Sequence, residues 1–356
     1  MGERLLTVEN LEVSFQTYAG EVHAVRGVSF HVDKGETLAI VGESGCGKSV
    51  SMQTVMRLLP TPPSFVKNGK IIYKKEDILK KTDKQMEHYR GNEFAMIFQD
   101  SMTALNPTMR VGRQMCEGII KHQKVNRKAA KIIAVEMLGR VGLPNPEKVY
   151  YRYPHTLSGG QRQRVMIAIA ISCKPGILFA DEPTTALDVT MQAQILDIMN
   201  SLKEQTGASI VLVTHDLGVV AKMADRIAVM YAGQIIETGT ARQIFYQPKH
   251  PYTWGLLGAM PDTGKSKGEP LYSIPGTPPD LFAPPLGCAF AARCEYCMKA
   301  CMKEAPPETW DDNKHMARCW LLDERAPKVT PPQGVIPKPM QPLDEQFTAR
   351  NEETHE

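Results

Sequence analysis

Short apolar runs recur along the first 240 residues, at 38–41, 94–98, 177–180 and 210–213. Each gives way to glycine-rich, charged or polar residues, and helical patterns lie between several of them. Unbroken apolar runs of strand length mark strands buried on both faces. The pattern therefore predicts an α/β fold built on a mostly parallel sheet. Residues 5–15 and 22–32 alternate more strongly and carry turn residues between them, which predicts an antiparallel flank on that sheet. Between about 101 and 165 the rhythm breaks. Residues 113–123 and 127–141 read as two helices with no strand between them, a helical insertion. Residues 230–235, Met-Tyr-Ala-Gly-Gln-Ile, predict a hairpin turn that closes the α/β unit.

After about residue 260 the composition shifts to proline and glycine, with Pro261, Pro270, Pro275, Pro278, Pro279, Pro284 and Pro285. Three segments are expected: an α/β unit over 1–260, a loop-rich element over 261–325, and a Pro-rich polar tail over 326–356. No internal repeat is visible. The chain has 356 residues, 42% hydrophobic and 23% charged, with a net charge of +3. That balance marks neither a nucleic-acid-coating protein nor an acidic tail, and no nucleic-acid partner is expected. The charged N-terminus lacks a secretory pattern. The longest apolar runs, such as 165–173, fall far short of the roughly 20 residues that span a bilayer. The expected location is the cytosol, with any membrane attachment made through a partner.

The octapeptide Gly42-Glu43-Ser44-Gly45-Cys46-Gly47-Lys48-Ser49 fits G-x-x-x-x-G-K-[ST]. It follows an apolar strand and opens a helical stretch, the context that makes this motif a phosphate cradle. Glycines let consecutive N–H groups curl around a phosphate, and the helix N-terminus adds partial positive charge. Lys48 is expected to reach the β- and γ-phosphates of a nucleotide and Ser49 to bind Mg²⁺. Cys46 reads as a small filler. A second apolar strand ends in Asp181-Glu182. Asp181 suits a Mg²⁺ ligand. Glu182, one residue further on, is expected on the other face of the strand, where it would orient or deprotonate an attacking water.

Leu157-Ser158-Gly159-Gly160-Gln161 stands 16 residues before the start of that second strand. The pentapeptide resembles the signature motif of the ABC ATPases, and the rest of that family's pattern follows in order. Phe15 matches the aromatic that stacks on adenine. Gln99 matches the Q-loop glutamine that touches Mg²⁺. Ala186-Leu187-Asp188 resembles the D-loop, and His215 the switch histidine that contacts the γ-phosphate. The resemblance implies an ATP hydrolase. Two cassettes would face each other, with ATP held between the phosphate loop of one and Ser158, Gly159, Gly160 and Gln161 of the other. The stretch 98–107, the Tyr153-Pro154-His155 and His250-Pro251-Tyr252-Thr253 tracts, and residues 274–288 resemble the ATPases of oligopeptide and dipeptide importers. Residues 20–28 resemble the D-type subunit. The implied partners are a second, related ATPase, two transmembrane permeases and an extracytoplasmic peptide-binding protein. The chain would then sit on the cytoplasmic face of the membrane. The same machine serving nickel, glutathione or sugars, and a soluble ABC ATPase without membrane partners, are the alternatives.

Five of the eight cysteines crowd into 288–319. In a reducing compartment such clustering favours a metal over disulfides. Similar extensions in peptide-importer ATPases carry an iron–sulfur cluster, and Cys288, Cys294, Cys301 and Cys319 match that pattern, with Cys297 as an extra thiol. Four thiolates suit either [4Fe–4S] or Zn²⁺, and His315 would compete as a zinc ligand.

Overall fold

Alternation in the first 33 residues folds into a long antiparallel ladder. β1 (Arg4–Thr17) pairs with β2 (Gly20–Asp33), from Arg4 opposite Asp33 to Thr17 opposite Gly20. β3 (Thr37–Val41), the first unbroken apolar run, is buried at every position and leads into α1 (Lys48–Val55). β4 (Ser64–Tyr73) returns to pair with β1, and the short β5 (Glu76–Asp77) pairs with β4. The flank thus runs β2-β1-β4-β5, with β2 at one edge. β4 escapes a pattern reading because Lys67, Asn68, Gly69 and Lys70 break its alternation. A capping box between Thr82 and Gln85 starts α2 (Asp83–Tyr89), which precedes β6 (Phe94–Ile97).

The helical insertion forms as α3 (Val111–Gln123), α4 (Arg127–Arg140) and α5 (Pro146–Tyr150). Val111, Met115 and Ile119, four apart, share a core with Ala130, Ala134 and Leu138 of α4. The expected C-terminal end of the insertion, near residue 165, falls within a further helix, α6 (Gly159–Ile171). β7 (Ile177–Asp181), α7 (Val189–Thr206), β8 (Ser209–Thr214), α8 (Leu217–Met223) and β9 (Arg226–Tyr231) follow. Five parallel strands pair in the order β9-β3-β8-β7-β6. Their near-continuous apolar runs reflect strands buried on both faces, as β3, β7 and β8 are at every position.

The computed structural model describes residues 3–100, 104–185, 187–260 and 273–332. They fall into two units. The first runs to Ile235 and also claims Pro279–Pro285; the second runs from Ile236 to Pro278 and resumes at Leu286. The expected division near residue 260 therefore falls at 236, within β10 (Gln234–Thr240). Glu237 explains the shift. It is fully buried and accepts hydrogen bonds from Lys249 N, His250 N, Thr253 Oγ1 and His315 Nε2 at 2.5–3.0 Å. These bonds tie the strand to the residues that follow α9 (Ala241–Tyr246), to α10 (Pro251–Gly258) and to the later cysteine-bearing segment. That segment holds α11 (Lys299–Lys303), β11 (Thr309–Trp310) and β12 (Met316–Ala317), the last pairing antiparallel with β10 at Glu237 and Thr238. Residues 101–103, Ala186, 261–272 and the tail from 333 lie outside the described residues.

Candidate functional site

β3 ends at Val41, and the chain then turns tightly through residues 42–47. A Cβ at Gly42 would fall 2.1 Å from the Met230 carbonyl oxygen, and one at Gly47 would fall 2.4 Å from that of Ala24. Both positions also have positive φ, so only glycine fits. No side chain caps the first turn of α1, which leaves its N-terminal amides and dipole for an anion. Ser44 and Gly45 are exposed on the loop, and Cys46 is buried beneath it. Burial raises the Cys46 thiol pKa although Lys48 opposes it, which suits a packed, protonated filler. The Lys48 ammonium lies inside the loop and donates to the Gly42 and Glu43 carbonyl oxygens at 2.8 Å each.

The carboxyl ends of β6, β7 and β8 complete the site. The Ser49 hydroxyl donates to Asp181 Oδ1 at 2.8 Å, joining the start of α1 to the last residue of β7. Burial raises the Asp181 pKa, with the Ser49 hydrogen bond pulling the other way and the Glu182 charge adding to the rise. Such a carboxyl gains from a bound cation. Glu182 is not in the strand. It lies just past β7 with φ 46°, its N–H donating to the Val213 carbonyl oxygen at 2.8 Å. A left-handed turn, rather than strand alternation, therefore aims its side chain. A β-carbon in that region costs on the order of 1–2 kcal/mol, and strain of this kind concentrates at functional sites.

The Glu182 carboxylate gathers three side chains. Oε2 accepts from Gln99 Nε2 and Thr185 Oγ1, each at 2.9 Å, and Oε1 stands 3.1 Å from His215 Nδ1. Burial pushes its pKa up, but the hydrogen bonds from His215 and Thr185 more than offset this, and the carboxyl titrates below its ordinary value. Glu182 is thus an ionised acceptor at neutral pH with a mostly exposed histidine beside it. Thr185 was missed in the sequence, where Pro183-Thr184-Thr185 reads as an ordinary turn. So was Gln163, a buried polar residue on an otherwise apolar helix face. Its Nε2 donates to the Pro183 carbonyl oxygen at 2.6 Å and pins the turn after Glu182 to α6.

The remaining site residues stand apart from that carboxylate network. Ser158 caps α6 through a reciprocal box with Gln161, at 3.3 and 3.2 Å. Ser158 and Gly159 are exposed, and a Cβ at Gly160 would meet the Met191 methyl. Asp188 caps α7 by accepting from Met191 N at 2.8 Å, so Met191 brings the starts of the two helices together. Phe15 is half-buried on β1, opposite Val22 and Ser64.

In the second unit, Cys301 and Cys319 are buried, Cys288 and Cys294 partly so, and Cys297 is exposed. Cys288 N donates to the Cys301 carbonyl oxygen at 2.7 Å. Burial, with the charges of Cys288, Cys294 and Cys301 adding to it, pushes the Cys319 thiol up to about 12. Burial and neighbouring cysteines likewise raise Cys288 to about 11 and Cys294 to about 12. Four thiols therefore lie within electrostatic reach of one another. Among the described residues no three His, Cys, Asp or Glu side chains are grouped as a single metal ion requires.

The family model described as "ABC transporter" matches residues 25–185, and that described as "Oligopeptide/dipeptide transporter, C-terminal region" matches residues 236–301. The oligopeptide transport ATP-binding protein OppD of Bacillus subtilis (strain 168) is 56% identical over 335 residues, 94% of each chain. The dipeptide transport ATP-binding protein DppD of the same organism is 54% identical over 324 residues, 91% of this chain and 96% of that one. Among solved structures, the dimeric post-hydrolysis state of the ATP-binding cassette MJ0796, bound to ADP and Pi, superposes with a TM-score of 0.61 at 25% identity. That match covers 67% of this chain and 99% of the other.

Proposed function

Because this chain belongs to the ABC transporter ATP-binding family, we propose that it is the D-type ATPase subunit of an oligopeptide or dipeptide importer. The observation that carries this reading is the joint match: a cassette over 25–185 and a peptide-importer C-terminal region over 236–301 in one chain. The chain spans almost the full length of relatives named for oligopeptide and dipeptide transport.

The site residues suit ATP hydrolysis. The loop amides and the Lys48 ammonium would hold the β- and γ-phosphates. Ser49 and Asp181, joined at 2.8 Å, would hold Mg²⁺ with Gln99. Mg²⁺ held there would neutralise charge on the phosphate oxygens. Glu182, ionised and steered by its left-handed backbone, accepts the proton of an attacking water or orients it. His215 and Gln99 share that carboxylate, so both are placed to register whether a γ-phosphate is present. Phe15 offers an aromatic face to adenine. The Ser158-Gly159-Gly160-Gln161 start of α6, exposed at Ser158 and Gly159, with Asp188 beside it at the start of α7, would face a second, related ATPase and complete the site built on that partner's loop. Among the described residues no helix is long and apolar enough to cross a membrane. Two permease subunits would carry the substrate path, an extracytoplasmic binding protein would deliver peptide, and this subunit would lie on the cytoplasmic face.

Cys288, Cys294, Cys301 and Cys319 would supply the four thiolates of a [4Fe–4S] cluster, the reading their match to the peptide-importer pattern supports, with Zn²⁺ as the alternative. A zinc ion draws four ligands onto one centre, whereas a cubane gives each thiolate its own iron and a wider spacing. Reconstitution of the assembled complex tests the whole reading. It should take up peptides in an ATP-dependent way, and anaerobically purified protein should carry about four irons per chain, lost when any of these four cysteines becomes serine but kept in Cys297→Ser. ATP hydrolysis without peptide uptake would overturn the cargo. One zinc and no iron would overturn the cluster.

A further inference from the structure

β2 is an edge strand, and its outer side is covered by a segment from far along the chain. Residues 279–285, Pro-Asp-Leu-Phe-Ala-Pro-Pro, belong with the first unit although the residues on both sides of them belong with the second. His23 N donates to the Leu281 carbonyl oxygen at 2.9 Å, and Arg26 Nη2 reaches that of Pro285 at 3.5 Å. The Phe282 ring lies 3.8 Å from where a Cβ on Gly20 would be, and Asp280 Oδ1 accepts from Phe282 N at 2.9 Å. Pro278, Pro279, Pro284 and Pro285 bracket the segment. They stiffen it and remove N–H donors that would otherwise extend the sheet.

The two β2 residues that the strap grips straddle Ala24. The Ala24 carbonyl oxygen presses on Gly47, leaving no room for a Cβ there. Arg26 continues the chain of contacts: its N donates to the Gly233 carbonyl oxygen at 2.8 Å and its Nη1 to that of Ala232 at 3.3 Å. Gly233 N in turn donates to the Cys46 carbonyl oxygen at 3.0 Å. Two short paths, through Ala24 and through Gly233, thus run from the strap to the back of the phosphate loop.

We propose that residues 279–285 form a positioning strap that sets the place of the phosphate loop by holding β2 at His23 and Arg26. Covering an exposed sheet edge would explain the prolines alone. It does not explain why the two hydrogen bonds fall on His23 and Arg26, on either side of the Ala24 carbonyl that backs Gly47. The strap acts on ground-state nucleotide binding, because the loop it backs holds phosphate equally before and during the reaction. Its residues touch no reacting atom.

The test uses the full chain in the assembled complex, with ATP as the probe. Phe282→Ala and the milder, exposed Asp280→Ala should each raise the KM and the equilibrium Kd for ATP, by about three- to tenfold for Phe282→Ala, with kcat unchanged. Phe282→Leu, which keeps an apolar contact at Gly20, should restore most of the affinity. A lowered Tm with Kd and KM unchanged in both alanine variants would mean that the strap only guards the edge, and would overturn the proposal. So would a fall in kcat at unchanged Kd. Because Asp280→Ala removes one exposed hydrogen bond, it reports even where Phe282→Ala fails to fold.

Discussion

Two glutamates carry similar hydrogen-bond loads in opposite settings. Glu182 accepts from Gln99 and Thr185 and faces His215, at the open carboxyl ends of the parallel strands. Glu237 accepts four bonds in the core of the second unit, with no exposure at all. The partners of Glu182 are mostly long or exposed side chains on separate segments, and its own backbone is strained. Two of the Glu237 donors are main-chain amides, fixed by the capping of α10. A carboxylate built to act holds partners that can leave and stores strain. One built to hold binds donors that cannot move. The contrast predicts that damage at the first should appear in rate and damage at the second in stability.

The largest effect should follow Glu182→Gln. Loss of a general base costs about 10²- to 10⁴-fold in turnover, while phosphate contacts through Lys48 and the loop remain. ATP hydrolysis by the assembled complex should nearly stop, with nucleotide affinity and Tm close to those of the parent. Near-normal hydrolysis would remove Glu182 from its role. A large fall in Tm would make it resemble Glu237 and break the comparison.

Glu237→Ala should do the reverse. It strands buried donors from Lys249, His250, Thr253 and His315, and removing one partner of such a knot costs about 3–5 kcal/mol. Denaturant unfolding should show that loss in the second unit, with nucleotide binding by the cassette preserved. If the folded variant loses ATP affinity while its stability holds, the division of labour drawn from the two glutamates is wrong.

The two regions also differ in what their residues disclose. The phosphate loop was legible because its glycines, Lys48 and Ser49 act through local backbone geometry, which a short motif encodes. Asp181 was legible as a carboxylate ending an apolar strand, whereas Gln99 and His215 were legible only through the resemblance to the family's ordered motifs. The aim of Glu182 was misread, since nothing in an Asp-Glu pair distinguishes a last strand residue from a left-handed turn. Glu237 gave no signal. It sits among apolar residues of a short strand, and its partners lie 12, 13, 16 and 78 residues away. The boundary at 236 and the return of 279–285 to the first unit were hidden for the same reason: long-range bonds, not composition, decide them.

The smallest effect sharpens the comparison by pH. His250, beside Glu237, is 1% exposed and caps α10, its Nδ1 accepting from Tyr252 N at 3.0 Å. A second proton would have to enter at Nδ1, against that N–H, in a fully buried site. Burial accordingly lowers its pKa to about 4, only partly countered by the Glu237 charge. Unfolded, the imidazole titrates near 6.5. Between these values the unfolded chain binds a proton that the folded chain refuses, so stability falls as pH drops from 6.5 towards 4, by at most about 3 kcal/mol. Above 6.5 the residue contributes no slope. His250→Asn keeps an acceptor for Tyr252 N, because asparagine caps helices well, but cannot titrate. Its unfolding free energy, followed by denaturant titration from pH 7 to 4.5, should fall less steeply than the parent's. Equal slopes in the two proteins would mean that His250 takes up its proton in the fold, and that the polar core around Glu237 is open enough to admit it.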